Sequence, residues 1–250
     1  MAELSDISNE FIRQEIDEFI ERPNERERVI NLFARARPKM QTIAAALIDG
    51  DNDLVNQLTK EALAEGTEAL EVMDDGLIAG MAIVGIKFRQ NFIFVPEVLA
   101  CARAMKAGMA HIEPILSAAG IKPIGKVVMG TVKGDLHDIG KNLCIMMLRG
   151  AGFEVIDLGV DTSADKFMQA VEENEVPLMG MSALLTTTMP NMGKTIEAFI
   201  DADLRDQVKI MVGGAPVTQE FADEMGADGY GKDAMACVAL AKRLMGVEAI

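Results

Sequence analysis

The chain has 250 residues, 50% of them hydrophobic, and its 24 Lys and Arg stand against 39 Asp and Glu for a net charge of -15. At about 100 to 200 residues per domain this length allows one large domain or two modest ones, each able to bury a core. The negative balance, with no basic patch, argues against a nucleic-acid partner, and the apolar runs are too broken by charge and glycine to span a membrane. An N-terminus reading MAELSDISNEF has neither the basic start nor the apolar core of a signal peptide, which points to the cytoplasm. Cys101, Cys144 and Cys237 lie far apart and match neither a disulfide framework nor a thiolate metal site, so reduced, buried thiols are expected.

Residues 1–38 are polar and strongly charged. NERERVINLFARAR, between Pro23 and Pro38, suits short helices or a mobile arm, an N-terminal helical extension rather than a domain. From 39 to 116 the pattern becomes helical. One segment ends at Gly50 and a second, Asp51 to Glu65, at Gly66. A third, about Thr67 to Gln90, places Leu70, Met73, Leu77, Met81, Val84 and Phe88 on one apolar face. A fourth starts at Pro96 and repeats Leu99, Ala102, Met105, Met109 and Ile112. Four such helices with short joints read as a small bundle. Residues 117–125, SAAGIKPIG, read as a linker.

Over 126–250 the period changes. Strands near 126–132, 153–158, 178–183, 208–212 and 228–231 alternate with helices near 139–149, 163–173, 190–202, 217–225 and 233–245. Five β-α units predict a doubly wound parallel sheet, whose ligands sit beyond the carboxyl ends of the strands. The strand-end loops are the unusual stretches. The first carries Gly134, Asp135, His137, Asp138, Ile139 and Gly140; the third runs from Ser182 to Thr188; the fourth contains Gly213 and Gly214. In a 2-1-3-4-5 sheet these three loops share one crevice.

Neither a dinucleotide glycine fingerprint nor a P-loop occurs in TVKGDLHDIGKN. The histidines are His111 and His137 alone, and with scattered cysteines they do not supply a protein-only metal site. If His137 binds a metal, something else provides most of the coordination sphere. A tetrapyrrole does so, leaving an axial position for one imidazole with a carboxylate to fix its tautomer.

Asp135-x-His137-x-x-Gly140, Ser182-x-Leu184 and Gly213-Gly214, in this order on these elements, resemble the cobalamin-binding domain. Methionine synthase shares that domain with the corrinoid methyl-carrier proteins of methylotrophic methyltransferase systems. GMAIVGIKFRQNFIFVPEVLACARAM, Gly80 to Met105, resembles the cap bundle that precedes it, so the likeness covers about residues 40 to 245. It implies an all-α four-helix cap bundle followed by an α/β Rossmann-like, flavodoxin-like domain with a five-stranded parallel sheet. The cofactor implied is cobalamin or a related corrinoid.

By this resemblance His137 is the lower axial ligand to cobalt, replacing the cofactor's own base, which is displaced as a tail into a slot in the sheet domain. Asp135 bonds the other imidazole nitrogen, and Thr188 stands where the family carries a relay serine. Ser182 and Thr186 contact the displaced base, Leu184 lines its slot, and Gly140, Gly213 and Gly214 let backbone approach the tail. Gly134, Asp138 and Ile139 belong to the same cofactor-binding set. On the cap, Phe88 and Val95 take the places of an aromatic and a larger aliphatic over the upper face. Cobalt that cycles between a four-coordinate and an axially ligated form needs an imidazole able to bind and release, and a proton store in Asp135 and Thr188.

Plainer roles are open to some of these residues. Thr186 to Thr188 are placed to cap the helix opened by Pro190, Asp161 to cap the second helix of the sheet domain, and His111 to serve structure; the 18 methionines suit core filling. The expected function is a methyl carrier. It accepts a methyl group from a methylated one-carbon substrate through a substrate-specific methyltransferase and hands it to a second methyltransferase. A reductive activase is a further partner, and the chain is not expected to catalyse alone. The alternative is a cobalamin-responsive sensor, but 38 N-terminal residues are too few for a DNA-binding module.

Overall fold

The computed structural model describes residues 2–120 and 123–247. The chain divides into two compact units, Met1–Lys122 and Pro123–Ala249. Among the described residues no helix is long and apolar enough to cross a membrane.

The first unit is helical: α1 (Glu10–Phe19), α2 (Pro23–Arg35), α3 (Pro38–Ile48), α4 (Asn52–Ala64), α5 (Ala69–Glu71), a π-helix (Val72–Ile78), α6 (Ala79–Arg89) and α7 (Val95–Ala118). Its starts follow local chemistry. Asn9 and Asp51 accept from Ile12 N and Leu54 N at 3.1 and 2.9 Å, and prolines open α2 and α3. Gly50 and Gly66, at φ +75° and +86°, follow α3 and α4, where a left-handed residue ends a helix.

Two expectations for this unit are corrected. The segment expected to present one apolar face winds through a π-helix, and α6 is buried nearly all round, at Met81, Ile83, Val84, Ile86 and Lys87. The reason lies upstream: α1 and α2 both pack on α6, and Ile12, Ile16, Val29, Leu32 and Phe33 are buried. On α7 the buried stripe is Val98, Cys101, Ala104, Met105 and Ile112, whereas Leu99 is 40% exposed. A Cβ on Gly108 would lie 2.7 Å from Leu77 Cδ1, so the small residues of α7 turn inward and rotate the stripe by one position.

Charge also holds the N-terminal helices in place. Lys87 Nζ lies 2.6 Å from Glu15 Oε2, with side chains 11% and 9% exposed, and sits 4.4 Å from the Phe19 ring centroid. Phe19 meets Phe92 edge-on at 5.0 Å, and Arg89 pairs with Glu25 at 2.7 Å. Gln41, 2% exposed, accepts from Ser8 Oγ and Asn9 N and donates to Phe33 O and Ala36 O.

The second unit is a five-stranded sheet in the order β2-β1-β3-β4-β5, every pairing parallel. Its elements are β1 (Lys126–Thr131), α8 (Ile139–Gly150), β2 (Glu154–Asp157), α9 (Ala164–Asn174), β3 (Leu178–Ser182), α10 (Pro190–Asp201), β4 (Lys209–Gly213), α11 (Gln219–Glu224), β5 (Gly229–Gly231) and α12 (Ala234–Leu244). Strand side chains alternate between faces. Val128, Met179, Met181, Ile210 and Val212 pack with Phe167, Met192, Ile196 and Phe199 against α9 and α10. The opposite face takes α8 and α12, with Leu240 closing on Gly229 and Lys141 on Asp157.

Breaking the buried pair leaves an uncompensated charge. Glu15→Ala is therefore expected to destabilise the helical unit by about 3 kcal/mol, read by urea unfolding with circular dichroism. Pairing Glu15→Leu with Lys87→Met removes both charges and should recover most of the loss; no recovery would show that the charges themselves are needed.

Candidate functional site

The site lies at the carboxyl ends of β1, β3 and β4. Gly134, at φ +82°, turns the chain after β1 so that Asp135 points inward and is fully buried. Its carboxylate accepts five donors: His137 N (3.0 Å) and His137 Nδ1 (2.8 Å) at Oδ1, and Leu184 N (2.8 Å), Leu185 N (3.2 Å) and Thr188 Oγ1 (2.7 Å) at Oδ2. Burial alone would push this carboxyl up. The bonds from Thr188, the His137 and Leu184 backbone amides and the imidazole outweigh it and hold the group well below the usual carboxylate range.

The protonation state decides the imidazole's chemistry. An ionised carboxylate only accepts hydrogen bonds, so Nδ1 is the donor, and in neutral His137 the lone pair belongs to Nε2. Nε2 makes no hydrogen bond among the described residues, and the His137 side chain is 50% exposed. Around it stand apolar side chains that ordinarily avoid water: Leu136 (71% exposed), Ile139 (75%), Leu184 (43%) and Leu185 (41%). The arrangement presents one nitrogen base in the middle of an apolar shelf.

Beneath the shelf, on the α8/α12 face, the strand register aligns Thr131, Ser182, Gly213 and Gly231 in one row. No side chain larger than threonine projects from that row, and at its Gly231 end α12 packs directly on it, an added Cβ standing 3.1 Å from Cys237 Cα. A Cβ on Gly213 would stand 2.8 Å from Gly231 O, one on Gly214 (φ +132°) would stand 1.9 Å from Ala183 O, and one on Gly140 would meet nothing within 4 Å. Thr131 Oγ1, fully buried, joins Ser182 Oγ and donates to His137 O, both at 2.9 Å.

Asp135, His137 and Thr188 are thus brought together, and Ser182, Gly213 and Gly214 adjoin them across the sheet. Gly134 shapes the turn. Asp138 accepts from Asn142 Nδ2 at 2.9 Å in the first turn of α8. Thr186 is exposed and stands outside the network. Phe88 lies in the last turn of α6 and Val95 opens α7, in the helical unit, on either side of a loop that exposes Phe92 and Phe94. His111 bonds Asn56 Oδ1 at 2.7 Å. Cys101 is a buried thiol pushed up to about 11 by desolvation.

Capping at two places is corrected. The Thr188 hydroxyl turns to Asp135, and α10 opens without a side-chain cap. Ser163, not Asp161, caps α9, through Lys166 N. Asp161 instead accepts from Gly134 N. Thr131, Lys141 and Asp161 had no signal in spacing or composition, since each is defined by a partner on another strand or loop. Lys141 is almost fully buried and pairs with Asp157 at 2.6 Å, tying the first turn of α8 to the end of β2. Burial pushes the Asp157 carboxyl up, but the bonds from Lys141 and Gly159 N prevail and hold it low.

Among the described residues no three His, Cys, Asp or Glu side chains gather as a metal site. A metal on His137 Nε2 would take its remaining ligands from a group such as a corrinoid. The exposed base and the apolar shelf fit such a group, with His137 as the residue that would hold it.

Comparison with known proteins agrees with this geometry. Residues 125–239 match the family described as "B12 binding domain", and residues 40–113 match a second family of the same description. A trimethylamine corrinoid protein of Methanosarcina barkeri is 44% identical over 204 residues, 81% of this chain and 94% of its own. A corrinoid protein of Desulfitobacterium hafniense is 40% identical over 210 residues, 83% of this chain and 97% of its own. A chain of the methanol:cobalamin methyltransferase complex MtaBC from Methanosarcina barkeri superposes with a TM-score of 0.78 at 27% identity, covering 98% of this chain and 92% of that one. With helical and sheet units both matched, and Asp135 and His137 in place between β1 and α8, the chain belongs to the corrinoid-protein family of B12-binding proteins.

Proposed function

We propose that this chain is the methyl-carrying corrinoid subunit of a methyltransferase system. It accepts a methyl group from a methylated one-carbon substrate through a partner methyltransferase and passes it to a second. A reductive activase restores the cofactor after oxidation, and the system works in the cytoplasm. The observation that carries this reading is the single available ring nitrogen, His137 Nε2, backed through Nδ1 by a buried ionised carboxylate.

When bound, the corrinoid supplies a cobalt centre that takes up and releases the methyl group. The chain's own residues do the rest. His137 Nε2 would be the nitrogen that holds the cobalt, and Asp135 holds the ring in the tautomer that keeps that nitrogen free. Asp135 and Thr188 keep the Nδ1–H of the ring bonded and the carboxylate ionised. Thr131, Ser182, Gly213 and Gly214 leave room for the displaced base. Phe88 and Val95 of the helical unit are the residues proposed to shield the cofactor from water and oxidants. The sensor reading has less support, because residues 1–38 are built into the helical unit through Glu15, Glu25 and Gln41.

Reconstitution of the full chain with hydroxocobalamin is expected to give an equimolar complex with the visible spectrum of histidine-coordinated Co(III). Absence of binding would remove the proposal. His137→Ala should lose that spectrum; if it persists, another base ligates the metal. Thr188→Val keeps the side-chain shape and removes the hydroxyl, and it is expected to weaken cofactor binding about tenfold, measured by equilibrium titration. Thr188→Ser should restore it. After reduction, methylation by candidate donors with a purified partner methyltransferase separates a carrier from a sensor, which would bind the cofactor without turning over.

A further inference from the structure

Asp161 lies in the loop between β2 and α9, and three observations set it apart. It is a non-glycine residue at φ +51°, in the left-handed region. It does not cap the helix that follows, since Ser163 does. Its two hydrogen bonds go to the histidine loop and bracket Asp135 on the chain: Asp161 Oδ1 accepts from Gly134 N at 2.7 Å, and Asp161 N donates to Asp135 O at 3.0 Å.

The geometry explains why a side chain is needed there. Up to Thr131 and Val132, backbone serves backbone: Thr131 N donates to Gly159 O (3.0 Å), Thr162 N to Thr131 O (2.9 Å), and Val132 bridges Thr162 in parallel. At Gly134 the chain turns at φ +82° and leaves that ladder, so its N–H loses its regular partner. The Asp161 carboxylate replaces it, and the left-handed bend at Asp161 aims both its N–H and its side chain at the departing loop. Asn191 Nδ2 holds Lys133 O at 2.7 Å on the other flank. Three of the five donors that fix the Asp135 side chain come from the loop after β3 and two from His137, whereas its backbone carbonyl is held from the loop after β2.

We infer that Asp161 is a positioning residue for the axial base: it fixes the Gly134–Asp135 backbone so that the Asp135 carboxylate and the His137 ring stay in register. This rests on His137 being the axial ligand, as proposed above. A loop held only through the Asp135 carboxylate would move whenever that carboxylate changes its bonds. Held also by Asp161, the backbone has a second anchor that does not pass through the carboxylate.

Three variants of the full chain separate the alternatives. Asp161→Asn keeps an Oδ1 acceptor and tolerates φ > 0. Asp161→Gly keeps the backbone bend and loses the acceptor. Ile196→Val weakens the opposite face of the same sheet. In the apo protein, amide exchange at Gly134 should accelerate and the 15N signals of the His137 ring should depart from the Nδ1–H tautomer in Asp161→Gly, but not in the other two. In the hydroxocobalamin complex, the ratio of histidine-coordinated to uncoordinated cobalt should fall about tenfold in Asp161→Gly and recover in Asp161→Asn. If Asp161→Gly matches wild type in the apo measurements, or if Ile196→Val shifts them equally, the inference is wrong. Failure of wild type itself to show a histidine-coordinated spectrum would instead overturn the axial-ligand reading, while the apo arm still decides whether Asp161 holds the loop.

Discussion

The sheet unit depends on one buried negative charge. A carboxylate with no exposed surface is costly unless its lone pairs are filled, and Asp135 fills them with five donors from two strand-end loops. Three are backbone amides that no substitution short of proline removes, and two of these, at Leu184 and Leu185, belong to the loop after β3. They tie the end of β3 to the loop after β1, which is possible only because those strands are neighbours, with Thr131 opposite Ser182. The sheet order therefore comes before the chemistry. A crossover that placed another strand between β1 and β3 would leave the charge unpaired and the imidazole tautomer undefined.

What could be read from the sequence follows from this hierarchy. The β-α alternation is written in local periodicity, and Asp135-x-His137 is contiguous, so strands, sheet class and the central pair of the site were legible. Thr188 was legible only through the resemblance, in which a hydroxyl residue stands at that place. Asp161 was not: a polar residue two positions before a helix has the appearance of a cap, and only three-dimensional packing shows that Ser163 takes that role and Asp161 faces Gly134. Thr131 was invisible for a similar reason, since a threonine at the end of a strand looks like ordinary β-propensity until its hydroxyl meets Ser182 and His137 O.

The helical unit shows the same limit in apolar residues. Periodicity assumes that a helix has one inside, which holds for α4 but not for α6, sandwiched between the bundle and the N-terminal helices. It also weighs residues by hydrophobicity, so Leu99 was placed inside ahead of Ala104 and Gly108. Close packing reverses that order where helices approach closely: Gly108 admits Leu77, and Gly80 lies against Ala44, whose carbonyl oxygen would be 3.1 Å from an added Cβ. The charged character of residues 1–38 misled in the same way. Glu15 and Glu25 in that stretch pair with Lys87 and Arg89 and hold the N-terminal helices against α6.

The far end of the carboxylate network bears on how the site can change state without breaking. The Thr188 hydroxyl has one proton and two acceptors in reach, Asp135 Oδ2 at 2.7 Å and Leu185 O at 2.9 Å. With Asp135 ionised, the proton points at the carboxylate. With Asp135 protonated at Oδ2, the hydroxyl turns to Leu185 O and accepts from the acid. Both arrangements leave every member of the trio with a partner, so neither carries the cost of an unsatisfied buried group. A valine there would offer the second state nothing, and an aspartate or asparagine would have to fit a space 6% exposed in the native chain. A small hydroxyl residue is what this position requires.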